Sequence, residues 1–170
     1  MKHLPYLIQT LETNGLAFQN MLADVPEELI HWRPAPGKWN LLEIACHMRD
    51  EEIEDFGCRM RMTLEQPGID PPQIDPEGWV QARNYAGQDY QVVMQSFGDA
   101  RKASVAYLRA LKDPQWTNYW QHPRAGALTA GFFLNNWLAH DHLHIRQINA
   151  LKYAYLQAIS AEDLGYAGKW

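Results

Sequence analysis

Three histidines have the spacing and the sequence context to bind a metal ion. His140 and His144 are four residues apart in a stretch of helical periodicity, so their imidazoles lie about 6 Å apart along one helix face. A third ligand must come from elsewhere in the chain, and His47 is the candidate. Three neutral imidazoles leave at least one coordination position open, as in catalytic zinc sites. The spacing is therefore compatible with a metal centre that can bind a substrate or a nucleophile, but histidines on a helix face are more often hydrogen-bonded core residues, so wider sequence context has to decide.

An open metal position supports two kinds of chemistry. Coordination lowers the pKa of a bound water or thiol, which provides a hydroxide or a thiolate near neutral pH. Glu51 follows His47 by one helical turn and is the candidate general base, or the acceptor that orients the His47 ring. Asp50 is a weaker candidate, since it lies on a neighbouring flank of the helix. Three further side chains could orient the ligand rings, namely Glu43, Asp141 and Gln147.

The remaining histidines are assigned other positions. His142 lies about 200° around the helix from His140, so we expect it on another face and outside the ligand set. His122 precedes a proline in a loop, and turn geometry is its main context, with an approach to the substrate as the alternative. His3 and His31 are predicted to be surface residues.

Cysteines, tryptophans and one acidic run have simpler interpretations. Cys46 points about 100° away from its neighbour His47 on a helix, so it is predicted to be buried and inert. Cys58 lies about 18 Å further along the same helix, too far from Cys46 for a disulfide. Four tryptophans could line a pocket but more often fill a core: Trp39, Trp116, Trp120 and Trp137. An acidic run predicts a solvated helix face, with an acidic rim on the site as the alternative: Glu52, Glu54 and Asp55.

Helices must position these residues, because apolar residues recur at helical spacing and strand-like alternation is nearly absent. Asn40 is a good N-cap residue with Glu43 three positions later, which approximates a capping box and starts a long helix. Two segments rich in helix breakers, 66–78 and 113–126, are predicted to be irregular. Long helices are predicted over about 4–22, 40–65 and 88–112 and from near Thr129 onward, with short ones near 25–30 and 77–85. One face of the last helix carries Phe133, Trp137, His140, His144, Ile148 and Leu151.

These elements predict an all-α protein, a four-helix bundle with long connecting loops that forms a single domain over residues 1–170. The net charge of −5, from 15 basic and 20 acidic residues, gives no electrostatic footprint for nucleic acid. No apolar run has the length of a membrane span or of a signal-peptide core, so we expect a cytoplasmic protein. Since neither nucleic acid nor a membrane is indicated, we expect its partner to be a small-molecule substrate.

The order of four short motifs resembles the DinB/YfiT-like superfamily of four-helix proteins. The motifs are Pro36-Gly-Lys-Trp-Asn40, Glu43-Ile-Ala-Cys-His-Met-Arg-Asp50, His122-Pro-x-x-Gly126-x-Leu-Thr129 and His140-Asp-x-x-His144-x-x-Gln147-Ile148. The resemblance implies that His47, His140 and His144 are the ligands of a divalent metal, commonly zinc or nickel. It also implies frequent homodimerisation.

The resemblance leaves the reaction open, because relatives include thiol S-transferases, a thiol-dependent isomerase and proteins described as metal-dependent hydrolases. Our first hypothesis is a metal-dependent enzyme that activates a low-molecular-weight thiol cosubstrate for transfer to a small electrophile. The second is a hydrolase with a metal-bound hydroxide and Glu51 as base. The third is a non-catalytic bundle that binds a metal or a ligand.

Overall fold

Four long helical segments build the protein, and two of them carry the candidate histidines. The computed structural model describes residues 1–168, so the last two residues of the predicted domain lie outside the described residues. The α-helices are α1 (Leu4–Leu22), α2 (Glu27–His31), α3 (Leu41–Asp50), α4 (Phe56–Glu65), α5 (Trp79–Ala82), α6 (Tyr90–Ala110) and α7 (Ala130–Ile159). A π-helical turn (Glu51–Asp55) joins α3 to α4, and 3-10 turns occupy Tyr85–Gly87 and Leu164–Ala167. Within residues 1–168, no helix is long and apolar enough to cross a membrane.

Side-chain caps fix where the two histidine-bearing helices begin. The Asn40 side chain accepts a hydrogen bond from the Glu43 backbone at 2.9 Å, and the Glu43 carboxylate accepts one from the Asn40 backbone at 3.0 Å. This reciprocal pair is the predicted capping box. Thr129 caps α7 by accepting a hydrogen bond from the backbone of Phe132 at 3.0 Å. Both predicted helix starts are confirmed.

The bundle is a ring in which each long segment packs on two others. α1 contacts α6 and α7, α3 contacts α6, and α4 contacts α7. The predicted all-α four-helix bundle is confirmed. Its apolar interior forms two clusters, one around Leu41, Phe97 and Ile148 and the other around Leu11 and Trp137.

A buried polar layer lies between these two apolar clusters. Each of the four long helical segments contributes one residue to it. The layer consists of Asn14, Glu52, Arg101 and Asp141. Arg101 donates to both oxygens of Asp141 at 2.9 Å and to Glu52 at 2.9 Å, while Asn14 donates to Asp141 at 3.2 Å. Buried charges are tolerated when they are paired in this way.

The burial of Glu52 corrects the prediction that the acidic run forms a solvated helix face. Glu52 is only 3% exposed, although Glu54 is exposed as predicted. The π-helical turn explains the difference, since it adds one residue to the turn and brings the fifth residue after His47 back towards the core. Gly57 then allows close packing, because a Cβ there would lie 3.0 Å from the indole of Trp137.

The segment predicted to be irregular before α7 contains a short antiparallel hairpin, β1 (Tyr119–His122) and β2 (Gly126–Thr129). Three residues connect the strands, and Gly126 has a φ of +78°, as expected for such a loop. The Nδ1 atom of His122 accepts hydrogen bonds from the backbone of Arg124 at 3.0 Å and of Ala125 at 2.9 Å. Four-residue strands with one buried side chain, Trp120, give too little alternation to be seen in the sequence.

Candidate metal centre

The three predicted histidines converge between α3 and α7. The Nε2 atom of His140 lies 3.3 Å from that of His47 and 3.0 Å from that of His144. One ring nitrogen from each residue lies within 4.8 Å of the other two. Two helices far apart in sequence therefore present three imidazole nitrogens to one point.

These separations fit a single metal ion. Ligand nitrogens at about 2.0–2.1 Å from a tetrahedral ion lie about 3.3 Å from each other. A set of hydrogen bonds explains the cluster less well, because a neutral imidazole nitrogen offers one proton or one lone pair and His140 Nε2 faces two partners. The Nδ1 atoms of His47 and His144 are also buried without a hydrogen-bond partner. They are the atoms that carry the proton when Nε2 binds a metal.

Burial keeps the imidazoles neutral, which is the form that binds metals. Burial, reinforced by the neighbouring His144, lowers the pKa of both His47 and His140 to about 3. Burial also lowers the pKa of His144, and the side chain of Gln147 opposes that shift. Gln147 was one of the residues predicted to orient a ligand ring, and it does lie beside His144.

Aromatic rings flank the histidine cluster. Trp39 packs on His47 with 4.9 Å between ring centroids, and Phe56 packs on His140 at the same separation. Phe56 was not singled out from the sequence, since an aromatic residue at the start of α4 gives no signal of this contact. Trp137 has a structural position, because it is 1% exposed and its Nε1 donates to Glu52 at 3.0 Å.

Glu51 lies beside the ring of His47. Its Oε1 atom is 4.0 Å from His47 Nδ1, which is the ring nitrogen away from the histidine cluster. Glu51 is 4% exposed, and burial together with the charge of Asp55 raises its pKa to about 9. At 4.0 Å the two atoms are too far apart for a hydrogen bond, so Glu51 is a neighbour of the His47 ring and not its hydrogen-bond partner.

Three other acidic candidates make contacts elsewhere. Glu43 accepts two hydrogen bonds from Arg33 at 2.6 and 2.7 Å, in addition to its capping role. Asp50 accepts one from the hydroxyl of Tyr85 at 2.8 Å. Asp141 belongs to the buried polar layer. These side chains hold helices and loops together and do not contact the histidine rings through these bonds.

A cavity of about 600 Å³ opens beside His140. Both breaker-rich segments contribute to its wall, and so do α4 and α7. Its lining is mainly apolar and aromatic, with a few charged groups. The residues that line it are Asp55, Phe56, Arg59, Gln73, Ile74, Trp120, His122, Pro123, Arg124, Leu128, Phe132, Phe133, Asn136, Ala139, His140 and Leu143.

Comparison with known protein families identifies the family of this chain. A model of the DinB superfamily matches residues 10–148, well over half of the chain. The chain belongs to the DinB superfamily. No curated protein shows a significant sequence match to it.

A solved structure shares the DinB-type fold. YfiT from Bacillus subtilis, described as a probable metal-dependent hydrolase with an unusual four-helix bundle topology, is 19% identical in sequence. The match has a TM-score of 0.79 and covers 90% of this chain and 87% of YfiT. At this identity the likeness shows a common fold.

The other predicted positions in this DinB-superfamily chain can be compared directly with the structure. His142 is exposed on α7, and His3 and His31 are exposed, as predicted. Cys46 is buried, and burial raises the pKa of its thiol to about 12, while Cys58 is half-buried and also a free thiol. His122 accepts two backbone hydrogen bonds in the hairpin turn, as its turn context predicted, and it also lines the cavity.

Proposed function

We propose that this protein is a divalent-metal-dependent enzyme that acts on a small molecule bound in the cavity beside His140. The observation that carries the proposal is the convergence of three Nε2 atoms, 3.0 and 3.3 Å apart, at the edge of that cavity. His47, His140 and His144 would hold the ion. When bound, a divalent ion makes a water or a thiol a better nucleophile near neutral pH.

The surrounding residues prepare the ligands for this task. Trp39 and Phe56 cover the rings of His47 and His140 and limit the water that reaches them. Glu51 lies 4.0 Å from His47 Nδ1, and a bound cation would favour its ionised form, which would accept the Nδ1 proton and leave the Nε2 lone pair for the ion. Low pKa values keep these rings unprotonated throughout the physiological range.

Of the two reactions, hydrolysis is the one that a protein of similar fold supports, because YfiT is described as a probable metal-dependent hydrolase. Transfer of a low-molecular-weight thiol, predicted from the family resemblance, would use the same three ligands. Zinc and nickel are the ions that the family resemblance implies, and imidazole nitrogen suits both.

A turnover screen with and without added thiol separates the two reactions. Purified protein is incubated with an aryl ester or with an alkylating electrophile, each in the presence and absence of cysteine. Acid release without thiol supports hydrolysis, whereas loss of the electrophile only with thiol supports transfer. His140→Ala is expected to abolish either activity, and His142→Ala, an exposed position on the same helix, is the matched control. Metal-dependent stability without any turnover would contradict the enzymatic proposal and favour a non-catalytic bundle.

A further inference from the structure

The cavity beside His140 has a positive charge balance in an acidic protein. Its lining contains the charged residues Asp55, Arg59 and Arg124, whereas the chain as a whole has a net charge of −5. Asp55 and Arg59 neutralise each other, with 2.7 Å between Oδ1 and Nε. Arg124 remains: within residues 1–168 it makes no ion pair, and it is exposed. The lining charge that is left without an ion pair among the described residues is therefore positive, and it favours a ligand of negative charge.

His122 adds a hydrogen-bond donor next to this arginine. Its Nδ1 accepts two backbone N–H bonds, from Arg124 and Ala125, and a nitrogen that accepts cannot carry the proton. The neutral ring therefore has its proton on Nε2, a tautomer assigned from these partners. Nε2 has no hydrogen-bond partner within the described part of the chain. The hairpin turn thus holds a donor and a cation two residues apart on the cavity wall.

We propose that His122 and Arg124 form an anion-binding clamp that receives an acidic group, a carboxylate, of the substrate. The rest of the cavity wall is mainly aromatic and aliphatic and includes Trp120, Phe132 and Phe133, so the cavity suits a substrate with an apolar body. The substrate class is a small apolar or aromatic acid, held at one end by the hairpin while its other end reaches His140. This inference rests on the proposed function, which places the reaction beside His140. The clamp itself is tested by measurements of binding alone.

Two probes of the same shape test the clamp: naphthalene-2-carboxylate and its uncharged amide. Affinities are measured by calorimetry on the protein as purified, with metal content determined for each sample. We expect the carboxylate to bind about fivefold more tightly than the amide, because a charge-assisted hydrogen bond discriminates between them.

The variants are chosen to keep the hairpin folded. His122→Asn retains an acceptor for the two backbone N–H groups, since asparagine caps turns in the same way, but removes the Nε2 donor. Arg124→Gln removes the cation. In the double variant the ratio of affinities is expected to fall below about twofold. Lys112→Gln, which removes an equal charge from an exposed position away from the cavity, is expected to leave the ratio unchanged.

The clamp is overturned if the carboxylate does not bind, if both probes bind equally to the unaltered protein, or if the preference persists in the double variant. If the double variant still preferred the carboxylate, the metal centre and not the clamp would cause the preference. Metal content reports separately on the proposed function, so a metal-free protein that still prefers the carboxylate would refute the enzyme and keep the clamp.

Discussion

The guanidinium of Arg101 forms two parallel hydrogen bonds of 2.9 Å with the carboxylate of Asp141 in the interior of the bundle. Asp141 directly follows the candidate ligand His140 on α7. The same guanidinium binds Glu52, which lies five residues after His47. One buried arginine therefore ties together the two helical segments that carry the histidines.

Replacement of Arg101 by methionine is expected to destabilise the protein by about 3–5 kcal/mol, because two buried carboxylates lose their counterion. The free energy of unfolding is measured by urea denaturation. Lys102→Met, the exposed neighbour on α6, is the control and is expected to change stability by less than about 0.5 kcal/mol.

If Arg101→Met does not fold, a triple variant that also carries Glu52→Gln and Asp141→Asn should recover part of the stability, since the unpaired charges are gone. An Arg101→Met protein as stable as the control would contradict the role of the buried polar layer.

Replacement of Glu51 by glutamine is expected to weaken metal binding about 10- to 100-fold without unfolding the protein, because a bound cation favours the ionised carboxylate, which accepts the His47 Nδ1 proton better than an amide does. Competition with a chromogenic chelator measures the affinity. Glu54→Gln, an exposed glutamate in the same turn, is the control. Unchanged affinity together with lost turnover would instead favour the role of general base.

Acid is expected to destabilise the metal-free protein through the buried histidines. The pKa of His47 and of His140 falls from 6.5 in the unfolded chain to about 3 in the folded protein. Between these values the unfolded state binds more protons, so stability is lost as the pH falls from 6.5 towards 3, by up to about 1.4 kcal/mol per pH unit for each histidine.

Unfolding of chelator-treated protein from pH 7 to pH 4 measures this dependence. The difference from a His47→Gln variant isolates one histidine, because the carboxylates titrate in both proteins. A variant with the same pH slope as the unaltered chain would contradict the burial of a neutral His47.

The sequence was sufficient for the features that depend on local pattern. The capping-box pattern at Asn40 and the helical periodicity from near Thr129 located the two key helices, and four-residue spacing placed His140 and His144 on one face. His47 was already the candidate third ligand, but only the family resemblance supported its pairing with them, since no local pattern relates residues 93 positions apart.

Features that depend on distant partners were not predictable in this way. Glu52 looks like a surface residue until Arg101, 49 positions later, is known to face it. The π-helical turn after Asp50 has no simple sequence signal, and it decides which acidic residue turns inward. The hairpin is likewise too short to be recognised from the sequence, although its turn places His122 and Arg124 on the cavity wall.

Metal content is the most direct test of the three-histidine centre. Protein purified from metal-replete cells is dialysed, and its divalent metals are quantified by mass spectrometry alongside the His140→Ala and His142→Ala variants. We expect about one ion per chain in the unaltered protein and in His142→Ala, and none in His140→Ala. A metal-free unaltered protein, or full retention by His140→Ala, would contradict the account.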